Sequence, residues 1–280
     1  MDKKLIKNIW LEKYSIFYLN GIDNKKFLNG ITTSNMLQSK TNIVKTCWLN
    51  PKGVLKSLIE IHYIENQLLI LTLEGNVNEI RKYFEDIIFP ADKVQISDVT
   101  TIYRIQEIDD CFSWREYNPI LLKENECDEF ILKNSLSVMN PNDLKIWKIK
   151  QAIPCKDYEI DGANNPLELG LADLIDFKKG CFLGQEIMAR LKKVSSLKQE
   201  IRVWKSNLPV NNLEFDENKV YLENDREKIV GYITRFVKVN EKEFIGLVII
   251  KKNYLGSEFK FFSKKFGNIK VNQATASVFL

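Results

Sequence analysis

Hydrophobic and polar positions alternate in several distinct registers along the chain. Ser15 to Leu19 reads as a strand that ends at Asn20-Gly21, after which Asp23 is placed to cap a short helix carrying Phe27 and Leu28 and stopping at Gly30. Two strand-like runs, Ile43 to Leu49 and Val54 to Tyr63, flank Asn50-Pro51-Lys52-Gly53, whose Pro and Gly suit a tight turn. Leu68 to Leu73 predicts another strand. Val77, Ile80, Phe84 and Ile87 then recur at helical spacing, the clearest helix in the chain. Strands are expected around Lys93–Ser97 and Ile102–Ile108, and 109–136 reads as short strands and loops. Asn140-Pro141 is a good helix start, and Leu144, Trp147 and Ile149 continue that helix to about Ala152.

From about Ile201 the period changes. Ile201–Trp204, Lys219–Leu222, Ile229–Val237, Phe244–Ile250 and Phe259–Phe262 are short β runs at close intervals, which predicts a small barrel of five or six strands. The pattern as a whole is α+β with a largely antiparallel first sheet, divided near residue 199 into a region 1–199 and a barrel region 200–280.

Composition changes this picture little. Of 280 residues, 45% are hydrophobic and 28% charged, ordinary for a chain that buries a real core. A net charge of +4 does not make a nucleic-acid binder, and only Arg190, Lys192, Lys193 and Lys198 form a dense basic group. That group fits either a solvated helix face or an attraction for an anionic ligand. The cysteines Cys47, Cys111, Cys127, Cys155 and Cys181 are odd in number and scattered, without a CxxC pair, which argues against zinc knuckles and a disulfide framework and fits a reducing compartment. Glu12 and Lys13 interrupt the apolar residues of the N-terminal stretch, and Phe244 to Ile250 is too short to span a bilayer, so a cytoplasmic protein without membrane segments is expected. His62 is the only histidine, and it reads as an ordinary strand residue.

The chemistry concentrates in Asp176 to Lys193, DFKKGCFLGQEIMARLKK. Lys178, Lys179 and Gly180 read as a loop, and Gly184 opens a helix containing Gln185, Glu186, Met188, Arg190 and Leu191. Cys181 just outside that helix meets the positive end of the dipole, and the adjacent lysines favour its thiolate, the form that binds metal and attacks electrophiles. The competing reading is a small buried hydrophobe. Gly180 and Gly184 would allow a sharp turn or close approach to a ligand.

Lys179-Gly180-Cys181-Phe182-Leu183-Gly184-Gln185-Glu186 resembles, position for position, the K-G-C-[YF]-x-G-Q-E signature of the YgfZ-type branch of the GcvT-like folate-binding proteins. Pro166-Leu167-Glu168 with Gly170-Leu171 resembles the P-x-E-x-G-L segment upstream, and Ala189-Arg190 the A-R that follows. Gly21-Ile22-Asp23, Phe27-Leu28-Asn29-Gly30 and Thr32-Thr33 are similar to the N-terminal motif, Pro51-Lys52-Gly53 to the turn, and Gly231-Tyr232-Ile233-Thr234 to the barrel's G-x-[IV]-T.

The resemblance implies a GcvT-like cloverleaf: two α+β lobes and a C-terminal barrel lobe around a folate-sized centre. It implies a role in assembly or repair of iron–sulfur enzymes, acting on tRNA modification through such enzymes, with Cys181 as the functional thiol. Cofactor-binding positions carried over are Lys150, Glu168, Lys179, Gly180, Gly184, Gln185, Glu186 and Arg190. The implied ligands are tetrahydrofolate or a related folate, and an iron–sulfur cluster held transiently by Cys181 together with a carrier or scaffold protein or a client enzyme. Direct binding of nucleic acid is not expected.

Two departures qualify the transfer. Relatives carry R-x-E-x-G-x-P where this chain has Lys148-Ile149-Lys150-Gln151-Ala152-Ile153-Pro154, so a donor-only ammonium replaces the carboxylate that would accept from a pterin; Glu168 is the alternative acid. Lys56 and Ser57 stand where aminomethyltransferases carry an acid, which counts against a tetrahydrofolate-dependent one-carbon transferase, the enzymatic alternative.

Overall fold

The computed structural model describes residues 7–108, 113–194, 197–207 and 218–273. The first region contains β1 (Lys7–Asn20), α1 (Asn24–Ile31), β2 (Ile43–Leu49), β3 (Leu55–Ile64), β4 (Gln67–Glu74), α2 (Val77–Ile87), β5 (Gln95–Ile96), β6 (Thr100–Glu107), β7 (Ile120–Leu122), α3 (Cys127–Asn134), β8 (Leu136–Val138), α4 (Pro141–Lys150) and α5 (Gln185–Val194). The second contains β9 (Gln199–Ser206), β10 (Lys219–Leu222), β11 (Asp225–Lys238), β12 (Phe244–Lys251), β13 (Phe261–Ser263) and β14 (Gly267–Gln273).

The sheet runs β2-β3-β4-β1-β6-β7, with β5 and β8 pairing opposite ends of the long β1. Every pairing is antiparallel except β1 with β8. Both faces are buried, which β1 shows residue by residue. Ile16 belongs to the cluster shared with α4 and the barrel, whereas its neighbour Phe17 packs with Leu28, Trp48 and Phe84 beneath α1 and α2.

The sheet also coils. Glu60 on β3 and Arg104 on β6 have two strands between them, a spacing of about 14 Å in a flat sheet. Yet Arg104 Nε donates to Glu60 Oε2 at 2.5 Å, and both side chains are fully buried. Gln106 Oε1 accepts from Arg104 Nη2, and Lys45 lies 3.8 Å from Glu60. Removing either partner of such a pair leaves a buried charge short of compensation, which is costly.

The six barrel strands close in the order β10-β11-β12-β9-β14-β13. Phe244 to Ile250 is a continuous apolar run because β12 is covered on both sides. Val248 and Ile250 fill the barrel interior with Trp204 and Phe266, while Ile245, Leu247 and Ile249 face the cluster of Trp10, Leu144 and Trp147. No helix among the described residues is long and apolar enough to cross a membrane.

Several local expectations change. Asp23 occupies the cap position of α1, but its carboxylate accepts from Lys93 N at 3.0 Å, and the helix continues through Gly30 to Ile31. Asn76 instead gives a full cap to α2, accepting from the N–H groups of Asn78 and Glu79. Asn140 caps α4 with Pro141 in its first turn. The stretch read as strands and loops contains α3, whose eight residues are too few to display a helical period, and the barrel gains β14 beyond the last predicted run. Cys111 lies outside the described residues.

Candidate functional site: a pegged loop carrying Cys181

The segment 176–184 leads into α5, and residues 30–35, the end of α1 and the stretch after it, hold it in place. Lys179 is buried, and its ammonium donates to the carbonyl oxygens of Thr32 at 2.6 Å and Ser34 at 2.7 Å. Leu183 N donates to Gly30 O, and Asp176 N to Thr33 O. The Asp176 carboxylate accepts from Lys178 N and, through its other oxygen, from Asn35 Nδ2; the Lys178 N–H is the main cause holding that carboxyl below its usual range. Thr33 Oγ1 donates to Leu174 O and accepts from Cys47 N, stitching the anchor to β2. The N-terminal motif and the signature, far apart in sequence, are therefore two halves of one site.

The helix end of the loop rests on the β2–β3 turn. Gly184 has φ +79° and Gly53 φ +74°, the left-handed region that favours glycine. A Cβ on Gly184 would lie 2.9 Å from Asn50 O and 3.0 Å from Gly53 Cα; one on Gly53 would meet Met188 Cε at 2.8 Å. Conformation favours glycine at both positions, and close packing against backbone demands it at Gly184. Gly180 differs: it is exposed and an added Cβ would meet nothing.

Cys181 is exposed on this frame, immediately ahead of α5. Of the two lysines expected to favour its thiolate, Lys179 instead turns its ammonium inward onto carbonyls. Burial pushes the pKa of Lys179 down to about 8 against the pull of Asp176, and its ammonium lies over the Phe182 ring. Lys179 thus fixes where Cys181 sits. Lys178, Arg190 and Lys193 are exposed, and Lys192 stacks over Phe177. Gln185 is half-buried and Glu186 exposed in the first turn of α5, where an acid suits the dipole.

The other described thiols differ in kind. Burial pushes Cys47 up to about 12, and it also raises Cys127 and Cys155. Among the described residues no three His, Cys, Asp or Glu side chains gather as a metal site.

Lys150 and Glu168 stand apart from the loop. Lys150 is half-buried at the end of α4, with no hydrogen-bond or ion-pair partner among the described residues. Its neighbour Lys148 reaches Glu12 Oε2 at 2.5 Å and lies over the Trp10 ring. That same oxygen accepts from Trp10 Nε1 and the Tyr14 hydroxyl. The amino and ring N–H groups of a pterin need acceptors, and α4 presents two donors. Lys150 therefore offers a donor where that edge of a folate needs an acceptor. Where the sheet, α4 and barrel meet, Trp10 and Trp147 pack edge to face with ring centroids 5.7 Å apart. Glu168 is buried elsewhere, against the start of β9, with burial raising its pKa. On β3, Lys56 pairs with Glu79 and Ser57 donates to Glu74 O, so neither offers a carboxylate.

Sequence reasoning missed the clamp between the segment 155–159 and the barrel. Glu159 is fully buried; it accepts from Thr234 Oγ1 and Cys155 N, and Arg235 Nε lies 3.3 Å from it. Thr234 belongs to the G-x-[IV]-T motif, which gives that threonine a physical role. No local signal in the sequence pointed to Glu159 as its partner.

No protein-family model matches the chain. An uncharacterized protein of Haemophilus influenzae is 26% identical over 269 residues, covering 90% of this chain and 91% of its own. The tRNA-modifying protein YgfZ of Buchnera aphidicola is 26% identical over 289 residues, covering 90% of this chain and 89% of that protein. The protein of the same name from Aliivibrio fischeri is 26% identical over 209 residues, 65% of each chain. Among solved structures, glycine cleavage system aminomethyltransferase T from Bartonella henselae superimposes with a TM-score of 0.76 over 98% of this chain and 87% of that one. At 9% identity that likeness speaks for the fold alone. With YgfZ relatives along most of its length and this fold beneath the pegged loop, the chain is similar in sequence to the YgfZ-type proteins and has a GcvT-like fold.

Proposed function

We propose that this protein is an accessory factor for the assembly or repair of iron–sulfur enzymes, and that Cys181 lends one thiolate to a cluster in transit. The observation that carries this reading is an exposed thiol on a loop pegged by a buried lysine, without companion ligands among the described residues. A cluster takes about four protein ligands. One cysteine completes a shared site, so a carrier or scaffold protein and the client enzyme supply the rest. The cluster is cargo rather than a resident cofactor. The name of the YgfZ relatives points to tRNA modification, which would then be an outcome of active client enzymes in the cytoplasm, where thiols stay reduced. Folate is a ligand expected from the family resemblance, and no step of this proposal runs through it.

Complementation tests the reading. Bacterial cells lacking their own family member receive the wild type or Cys181→Ala, and iron–sulfur enzyme activities are compared at equal soluble levels. Rescue by the wild type alone supports the proposal. Equal rescue by both removes Cys181 from its centre, and rescue by neither overturns the assignment for those clients.

A further inference from the structure

The barrel wall is incomplete at one seam. β13 and β14 share only three residue pairs, from Phe261 with Ile269 to Ser263 with Gly267. Beyond Ile269 the two arms of this hairpin part, and Lys270 to Gln273 pair with β9 on one side alone. Among the described residues no backbone hydrogen bond reaches that stretch from its other side. Backbone groups alternate in direction along a strand, so every second residue there turns its N–H and C=O across the gap. A concavity of about 690 Å³ fills this gap, between β14 and the chain from Tyr254 to Lys260. Its floor is barrel core left unfinished: Tyr254, Leu255, Phe259 and Val271 line it and are only half-buried against the interior cluster of Phe261 and Ile269. Its rim carries Lys260 and Lys270, both exposed, and neither ammonium has a hydrogen-bond or ion-pair partner among the described residues. The other charged groups at the rim are engaged, Arg202 with Glu200 at 2.7 Å and Glu223 with Asn268 Nδ2 at 2.6 Å.

We infer that this seam docks an extended segment of a partner protein, apolar and acidic residues alternating along it, which adds to the barrel as a strand beside β14. The open edge of β14 takes main-chain hydrogen bonds, the mode in which a sheet edge recruits a peptide. The half-buried floor takes every second side chain of the segment, because successive side chains of a strand face opposite ways. The remaining side chains then stand on the outer surface beside Lys260 and Lys270, where acids are attracted and bases repelled. Lysines at an edge ordinarily deter pairing with another chain. An acidic segment reverses that effect, so the charge selects the partner. A second copy of this chain would bring the same lysines against these, and a nucleic acid suits the lysines but has no strand to pair with β14. The free edge is about 13 Å long, which sets the recognised core at about four to six residues. The inference goes beyond the cluster reading and does not involve Cys181.

The probe is a fluorescein-labelled hexapeptide amide, Glu-Ile-Asp-Val-Glu-Ile, titrated with the full chain by fluorescence anisotropy; hydrogen exchange of the complex locates it. Wild type is expected to bind with a Kd of about 0.1 mM, with slowed exchange in 267–273 and no change in α5. Lys260→Glu and Lys270→Glu should each weaken binding about fivefold. Both positions are exposed, so their thermal midpoints should match the wild type and loss of fold does not confuse the result. Two altered peptides separate the contacts. Lys-Ile-Lys-Val-Lys-Ile keeps the apolar face and reverses the charge, and a version of the probe with prolines at its centre keeps the acids but cannot donate to a ladder. Neither should bind measurably. Absence of probe binding up to about 1 mM overturns the inference, as does binding that is indifferent to both lysines or equally strong for the proline peptide. Tighter binding of an oligothymidylate, lost in the same lysine variants, would assign the seam to single-stranded nucleic acid and overturn it as well.

Discussion

The ammonium of Lys179 lies 2.6 Å from the carbonyl oxygen of Thr32, a residue 147 positions earlier in the chain. That one contact makes the signature loop and the N-terminal motif a single object. A charge this deeply buried is tolerated because its hydrogens have fixed partners, Thr32 O and Ser34 O.

Lys179→Met keeps the aliphatic stem and removes the donor, leaving two carbonyls underserved. A loss of about 1–3 kcal/mol of stability is expected, read as a lower urea midpoint. Faster hydrogen exchange at the Leu183 amide, which pairs with Gly30 O, should accompany it. Unchanged exchange there would mean that the peg does not hold the loop.

The four described thiols should alkylate in an order set by exposure and pKa. Iodoacetamide on the native protein is expected to label Cys181 first, Cys155 slowly, and Cys127 and Cys47 only on unfolding. Peptide mass spectrometry over a time course reads this directly. Cys181→Ala should change stability by no more than about 0.5 kcal/mol, as exposed substitutions generally do.

Gly184→Ala combines left-handed strain with a Cβ 2.9 Å from Asn50 O. A destabilisation of about 2 kcal/mol or more is expected, and Gly180→Ala, at an open position, should cost far less. Thermal melts of the two variants side by side make the comparison.

His62 supplies a pH dependence. Burial pushes its pKa from 6.5 to about 4; Arg104 and Lys45 push the same way, and Glu60 opposes them. Between these values the unfolded chain binds a proton that the folded chain refuses. Stability therefore falls as pH drops from about 6.5 to 4, by about 3 kcal/mol once the window is crossed. His62→Gln should remove that slope. Urea midpoints of both proteins at pH 7, 5.5 and 4.5 check it, and parallel curves would refute the assignment.

Much of this was legible in the amino-acid sequence, because local rules decide it. The period of Val77, Ile80, Phe84 and Ile87 and the cap at Asn76 make α2 wherever that helix lands. The Asn50–Gly53 turn, the short runs of the barrel and the helix after Gly184 are local in the same sense. So was the candidate loop, because an eight-residue signature is informative without coordinates.

Tertiary structure alone decided how charges and cavities are used. Lys179 and Lys178 are adjacent and chemically alike, yet one is buried on carbonyls and the other exposed. The pairing of Glu60 with Arg104 depends on a sheet that coils, and that of Glu159 with Thr234 and Arg235 on where the barrel docks. Secondary structure is encoded over spans of a few residues. Desolvation and ion pairing depend on which distant segments close over a group, and no periodicity along the chain carries that information.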